Sequence, residues 1–494
     1  MRVLVFHGYL LRGTGSNVYN ASLVQALARL GHEVHLLSQD ADAGELMKLE
    51  GVADSVHTYR PDIGGLLPVY VRDEYAGFEV KTFAELTDSE LARYLDANVS
   101  AVRDVVEGAG GIDAALANHL VMGPAILARA GLRFAAKVHG SALEYTVKPE
   151  PERFLPYARE GMAAAEGVLV GSRHTAESLW AAVDLPKLPA KTRLGPPGVD
   201  TELFAPVARE KAPERLRALA AELRRGGEGG LWDRDPARAA KAVDHLAEAS
   251  GPRVVLVGKL IVSKGVDLLL AAWPLVVAAN PGARLLIVGF GEYEQGLLDL
   301  WAAIEAGDLE RVSAIAERGR ELEGGPAGQL QMLLSFLERR PADYPAAAAA
   351  AAGSVAFSGR LEHEEVGRLV PACDVLVFPS TFPEAFGMVA AEAASAGVAP
   401  VSADHSGAAE VSRALAADLP AETARLVSFP LGDDAVLDLA ERINGWLALD
   451  PGLAADVRRR LRGTAARLWS WEGVARSVVA AATGGLDELP RVPS

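Results

Sequence analysis

Short runs of β-branched and aliphatic residues, each ending in a glycine or a polar residue, alternate along this chain with longer segments of helical period. That alternation restricts the fold more than any other feature. The first half carries such runs at residues 2–7, 33–38, 114–119, 134–139 and 167–172. The second half carries them at 253–257, 284–288, 355–358, 374–379 and 400–403. After the first run, Leu23, Leu27 and Leu30 recur at i, i+4 and i+7 and the pattern stops at Gly31, which marks a helix and its C-terminal signal. Strands and helices in this rhythm predict βαβ units, and two series of them in 494 residues predict two doubly wound parallel sheets of the α/β class. Between the series, Gly195-Pro196-Pro197-Gly198 admits no regular structure. The domain boundary is expected there, with residues 1–197 before it and 198–469 after it.

Two segments fall outside the rhythm. Residues 209–250 and 292–353 are rich in Ala, Arg, Glu and Leu, the second ending in the alanine run 346–352, and both are expected to be solvent-facing helical insertions. Asp233-Arg234-Asp235 in the first imitates an acidic metal-binding pair, but no strand precedes it and an arginine interrupts it, so it reads as surface.

The formal charge of −16 and the lack of a basic stretch interleaved with aromatics argue against nucleic acid and anionic lipid partners. Cys373 is alone and lies in an apolar run, so it is expected to be a small core residue in a reducing compartment. The apolar start, residues 1–6, is too brief for a signal peptide, and no uninterrupted run of about 18 apolar residues occurs. A soluble cytoplasmic protein is expected, of open oligomeric state.

Open parallel sheets bind ligands beyond the carboxyl ends of their strands, and the chemically able residues of this chain accumulate at those positions. Gly13-Thr14-Gly15-Ser16-Asn17 follows the first strand; it suits an anion loop and an ordinary turn equally. It lacks the third glycine of a dinucleotide fingerprint, as does Gly289-Phe290-Gly291, where Glu294 stands in the third place. Lys259 and Lys264 flank one strand-to-helix loop, and together they can neutralise a diphosphate. The segment 382–397 is the most specific. Glu384 lies in a loop after Pro383, a helix opens near Gly387 with unpaired N–H groups, and Glu392 follows two turns on. A carboxylate accepts hydrogen bonds from vicinal hydroxyls, so two carboxylates flanking an anion site match a sugar nucleotide. His139 ends a strand and reads equally as a site residue or a satisfied core histidine.

Residues 382–397 resemble the Glu-x7-Glu signature of retaining GT-B glycosyltransferases, especially glycosyltransferase family 4. Gly258-Lys259-Leu260 with Lys264-Gly265 is similar to that family's phosphate stretch, and Val138-His139-Gly140-Ser141 to its first-domain cleft loop. Pro197-Gly198-Val199-Asp200 resembles its crossover, and Trp469-Ser470-Trp471-Glu472 its terminal helix, which would return residues 470–494 to the first domain. The resemblance implies that Gly15, Lys259, Lys264, Glu384, Ala385, Phe386, Gly387, Met388, Val389 and Glu392 bind the donor, and that His139, Glu384 and Lys264 act at the reaction centre. Glu392 would hold the ribose, and Lys259 with Lys264 the diphosphate. Lys259 stands where the family commonly has arginine, which keeps the charge but loses the bidentate fork.

The implied activity is metal-independent transfer of a sugar, with retention, from a nucleoside-diphosphate-sugar to a hydroxyl acceptor. No other cofactor is needed; a uridine diphosphate donor is the commonest in such families. The acceptor class (sugar, lipid-linked or small molecule) stays open, with residues 64–78 and 144–154, which carry Tyr70, Tyr75 and Tyr145, as candidate acceptor loops. Two alternatives stand beside this reading: another GT-B activity, either a sugar-nucleotide epimerase or a glycoside phosphorylase, and a non-catalytic scaffold that binds nucleotide-sugar.

Overall fold

The central strands are apolar at nearly every position, as a parallel sheet covered by helices on both faces requires. The computed structural model describes residues 1–12, 15–47, 55–71, 75, 77–226 and 234–493. The described chain divides into two units, Met1–Gly198 with Trp469–Ser494, and Val199–Leu468.

In the first unit the strands are β1 (Arg2–Phe6), β2 (Glu33–Leu37), β3 (Val56–Tyr59), β4 (Leu66–Val69), β5 (Glu79–Thr82), β6 (Ala114–Asn118), β7 (Ala135–Val138), β8 (Gly167–Val170) and β9 (Thr192–Leu194). Seven of them form a parallel sheet in the order β3-β2-β1-β6-β7-β8-β9, and β4 pairs with β5 apart from it. The chain winds outward from β1 to β3 and then resumes on the other side at β6. The crevice between β1 and β6 is therefore the topological switch point.

The second unit holds β10 (Arg253–Val257), β11 (Arg284–Val288), β12 (Val355–Gly359), β13 (Val375–Phe378), β14 (Ala399–Ala403) and β15 (Ser428–Phe429). Their order is β12-β11-β10-β13-β14-β15, all parallel, so the switch point lies between β10 and β13. The ten expected strands are all present, and the sheets add β3, β4, β5, β9 and β15 to them.

The helix Trp471–Thr483 packs in the first unit. Val474, Ala475, Val478 and Ala481 join Val3, Leu23 and Leu27 in one core. Trp471 lies so close to the backbone of Gly198 that a Cβ there would sit 2.4 Å from its Cδ2.

The two charged segments are helical and turn their charges to solvent as expected, and their other faces close the core. Helices Ala212–Arg225 and Pro236–Ala247 pack on each other and bury Leu216, Leu219, Leu223, Val243 and Leu246. The second of them lies against β11 and β12, and Arg238 Nε donates to Phe357 O at 3.1 Å. Within 292–353, the helices Glu294–Glu305, Leu309–Arg318, Gln331–Arg339 and Tyr344–Ala350 each bury an apolar stripe, and Tyr344 OH donates to Ala271 O at 2.9 Å. The physical reason is amphipathicity: charges occupy the outer faces while leucines at helical spacing close the core. Asp233 lies outside the described residues. Its neighbours have structural roles, Arg234 pairing with Glu365 at 3.0 Å and Asp235 capping the helix at Arg238 N at 2.9 Å.

Cys373 is buried, and burial pushes its thiol pKa up. Among the described residues no helix is long and apolar enough to cross a membrane.

Gly198→Ala places a methyl group inside the Trp471 ring contact. It should lower unfolding stability by about 1–3 kcal/mol, the usual penalty for overpacking. The urea midpoint reads the loss, and an unchanged midpoint would contradict the packing.

Candidate active site

At the switch point of the second unit, the loops after β10 and β13 are fastened to each other by one carbonyl. Ser263 O accepts from Thr381 N at 2.8 Å and from Ser380 Oγ at 3.1 Å. The approach is close because residue 265 is glycine: it adopts φ +64°, and a Cβ would fall 2.1 Å from Pro379 O. Lys264 ends the short turn Val262–Lys264, and its ammonium pairs with Glu384 Oε1. Glu384 also accepts from Ser380 Oγ at 2.6 Å, its N–H donates to Ser406 Oγ at 2.9 Å, and its carbonyl accepts from Gly407 N at 2.9 Å. Carboxylate and backbone are thus both fixed.

Ala385, Phe386 and Gly387 lead from Glu384 into the helix Met388–Ser395, whose first turn, at Met388 and Val389, presents N–H groups that have no intrahelical partner by position. Glu392 lies on that helix, 6% exposed, and its Oε1 accepts from His363 Nε2 at 3.0 Å. Lys259 follows β10, with its Nζ 5.8 Å from the centre of the Phe290 ring; the Arg360 guanidinium lies 5.1 Å from the same ring. The sequence-predicted residues Lys259, Lys264, Glu384, Ala385, Phe386, Gly387, Met388, Val389 and Glu392 therefore share the carboxyl edge of one sheet.

Sequence reading missed His363, Arg360, Ser380 and Ser406, each of which enters through a long-range contact. It also missed Glu323, from the segment expected to be solvent-facing, whose Oε2 accepts from Val262 N at 2.7 Å in the Lys264 turn. The stretch 292–353 therefore supports this loop directly. Beneath it Asp267 is buried, and burial raises its pKa to about 7. Among the described residues no group of three or more His, Cys, Asp or Glu side chains could hold a metal ion.

The first unit has its own polar cluster at its switch point. Gly15 opens the helix Gly15–Arg29; Gly13 and Thr14, part of the same predicted loop, lie outside the described residues. His139 follows β7. Asn118 Nδ2 donates to Phe6 O at 3.1 Å, which turns Asn118 Oδ1 toward His139 Nε2 at 2.9 Å. That acceptor fixes the proton on Nε2 and leaves Nδ1 as a lone pair. Burial, with His119, Lys137 and His7 nearby, drives the His139 pKa well down, so the ring is neutral. Tyr19 packs edge-on against His139 at 4.9 Å and against Trp471 at 5.5 Å, which links the terminal helix to this ring. Tyr70 and Tyr75, in a candidate acceptor loop, are buried, Tyr70 stacking on Phe83 at 5.0 Å, while Tyr145 is exposed.

Lys137 lies behind His139, donating Nζ to Gly195 O, and burial lowers its pKa from 10.5 to about 7. Between those values the unfolded chain binds more protons at this site than the folded one, so stability rises with pH across the window. Denaturation from pH 7 to 10 should show that rise in the natural protein and a smaller one in Lys137→Met. Equal slopes would contradict the burial.

The Glycosyltransferase Family 4 model matches residues 13–203, and the model for glycosyl transferases group 1 matches residues 338–460. Glycogen synthases of Mycobacterium tuberculosis are 32% identical over 260 residues, covering 51% of this chain and 55% of theirs, so the chain spans about half the length of the curated relatives it matches. Among solved structures, sucrose-phosphate synthase from Thermosynechococcus elongatus is similar in fold, with TM-score 0.57, 20% identity and 97% of each chain covered. Anabaena HepE, solved with UDP and glucose, gives 0.56 at 16% identity over 97% of this chain and 98% of its own. The catalytic domain of Arabidopsis thaliana starch synthase IV, bound to ADP and acarbose, gives 0.56 at 13% over 98% and 99%. These folds are two doubly wound sheets of the GT-B type, and this chain, built the same way, matches the family 4 glycosyltransferase model in its first half and the group 1 glycosyl transferase model in its second.

Proposed function

We propose that this chain is a retaining glycosyltransferase that moves a sugar from a nucleoside-diphosphate-sugar to a hydroxyl acceptor without a metal ion. One observation carries the reading: Glu384, held by Lys264 and Ser380, and Glu392, held by His363, flank the N-terminus of the helix Met388–Ser395. A diphosphate suits the amides of the first turn, with Lys259 and Lys264 supplying positive charge. Ribose hydroxyls suit Glu392, and sugar hydroxyls suit Glu384 and the amides of Ala385 and Phe386.

In the transition state the bond from C1 to the phosphate oxygen breaks while the acceptor oxygen bonds to C1 on the same face. The acceptor proton passes to the departing phosphate oxygen. Charge develops on that phosphate, and Lys259, Lys264 and the helix N-terminus stabilise it as a fixed array. No carboxylate is required as a nucleophile, and Glu384 is already engaged by a lysine and a serine. His139 contributes a neutral acceptor lone pair that orients a hydroxyl. The matching family models, the glycogen synthase relatives and the UDP and ADP complexes of HepE and starch synthase support a nucleotide-sugar donor. Uridine diphosphate is the proposed carrier.

Calorimetric titration with UDP-sugars and ADP-sugars in excess chelator tests this. One base family should bind saturably, and Glu392→Ala should weaken it about 10- to 100-fold, as expected for losing hydrogen bonds to a charged group. Glu384→Ala should retain the nucleotide and lose about 100-fold or more in turnover. Absence of binding, or binding abolished by the chelator, would contradict the proposal.

A further inference from the structure

We propose that His363 is a positioning residue that holds the Glu392 carboxylate in the orientation needed to receive the two ribose hydroxyls of the donor nucleotide. The inference rests on the donor site proposed above and extends it to a residue 29 positions away from Glu392 in sequence.

A buried carboxylate is costly unless it is hydrogen-bonded, and Glu392 has a side chain only 8% exposed. Its Oε1 accepts a hydrogen bond from His363 Nε2 at 3.0 Å. A carboxylate offers about four lone-pair directions, and one donor at Oε1 leaves Oε2 and the remaining Oε1 lobe for a vicinal diol. Which way those lobes face depends on the terminal torsion of Glu392, a broad two-fold rotor.

His363 is suited to fix it because it is itself fixed. It is the first residue of the helix His363–Leu369, which starts with a reciprocal cap in which Glu362 N donates to Glu365 Oε2 at 2.7 Å. Its ring packs against Phe204, centre to centre 5.4 Å. Burial opposes a charge on the imidazole, but Glu392, with Asp200 and Glu364, more than offsets that and raises its pKa, which strengthens the bond to Glu392. Partners that orient a ligand-binding group typically matter by about 10- to 100-fold when removed, by analogy with the outer shells of metal sites.

The test is a double-mutant cycle on nucleotide affinity in the full chain, using UDP and ADP, each beside its 2′-deoxy form, with thermal unfolding as the check on folding. His363→Ala should weaken the ribonucleotide about tenfold and the 2′-deoxynucleotide, which keeps one of the two hydroxyls, by a smaller factor. In a Glu392→Ala background it should have no further effect. His363→Gln, which keeps an N–H donor on a side chain of similar reach, should recover most of the affinity. The inference falls if Glu392→Ala weakens the ribonucleotide while His363→Ala does not, or if His363→Ala costs the same with and without Glu392. An unaffected Glu392→Ala would instead remove the ribose assignment, and this inference with it.

Discussion

Lys264 and Glu384 are 120 residues apart in sequence and meet as an ion pair at the carboxyl edge of the second sheet. Both side chains are about a quarter exposed, so the pair contributes little to stability, on the order of 1 kcal/mol or less. Its consequence is geometric. Together with the Ser263 carbonyl it joins the loop after β10 to the loop after β13, and the helix carrying Glu392 begins at Met388, four residues after Glu384. Charge, amides and carboxylate therefore keep fixed spacing before any ligand arrives, which is what electrostatic preorganisation demands.

The two sheets follow the same logic separately. In each, the chain reverses direction across the sheet, at β1/β6 and at β10/β13, and the polar residues collect at that crevice. The second unit gathers cations and carboxylates there. The first gathers neutral groups: His7, whose ring is satisfied by Asn17 and Asn20, and His139, whose proton is placed by Asn118. His119 stands between them with φ +68° and with both ring nitrogens buried and unpartnered among the described residues. Burial keeps these rings uncharged at neutral pH.

Much of this was legible in the sequence because parallel strands announce themselves as apolar runs and their ends as glycines and polar residues. The missed strands lack that signature. β3 is an edge strand with mixed burial, β4 contains Pro68, and β9 and β15 have only three and two residues. The core-facing side of the charged segments was hidden because arginines and glutamates outnumber the leucines, of which Leu216, Leu219 and Leu223 are buried. Glu384 and Glu392 were readable because one loop and one helix space them. His363, Ser263 and Glu323 were not, because each acts through contacts made only when distant strands pair.

Hydrogen exchange by mass spectrometry, with and without saturating nucleoside diphosphate, tests the account most directly. The donor site predicts slowed exchange concentrated in residues 258–265 and 384–392 of the second unit, and loss of that protection in Glu392→Ala. Protection confined to other segments, or none at a concentration that saturates the protein, would contradict it.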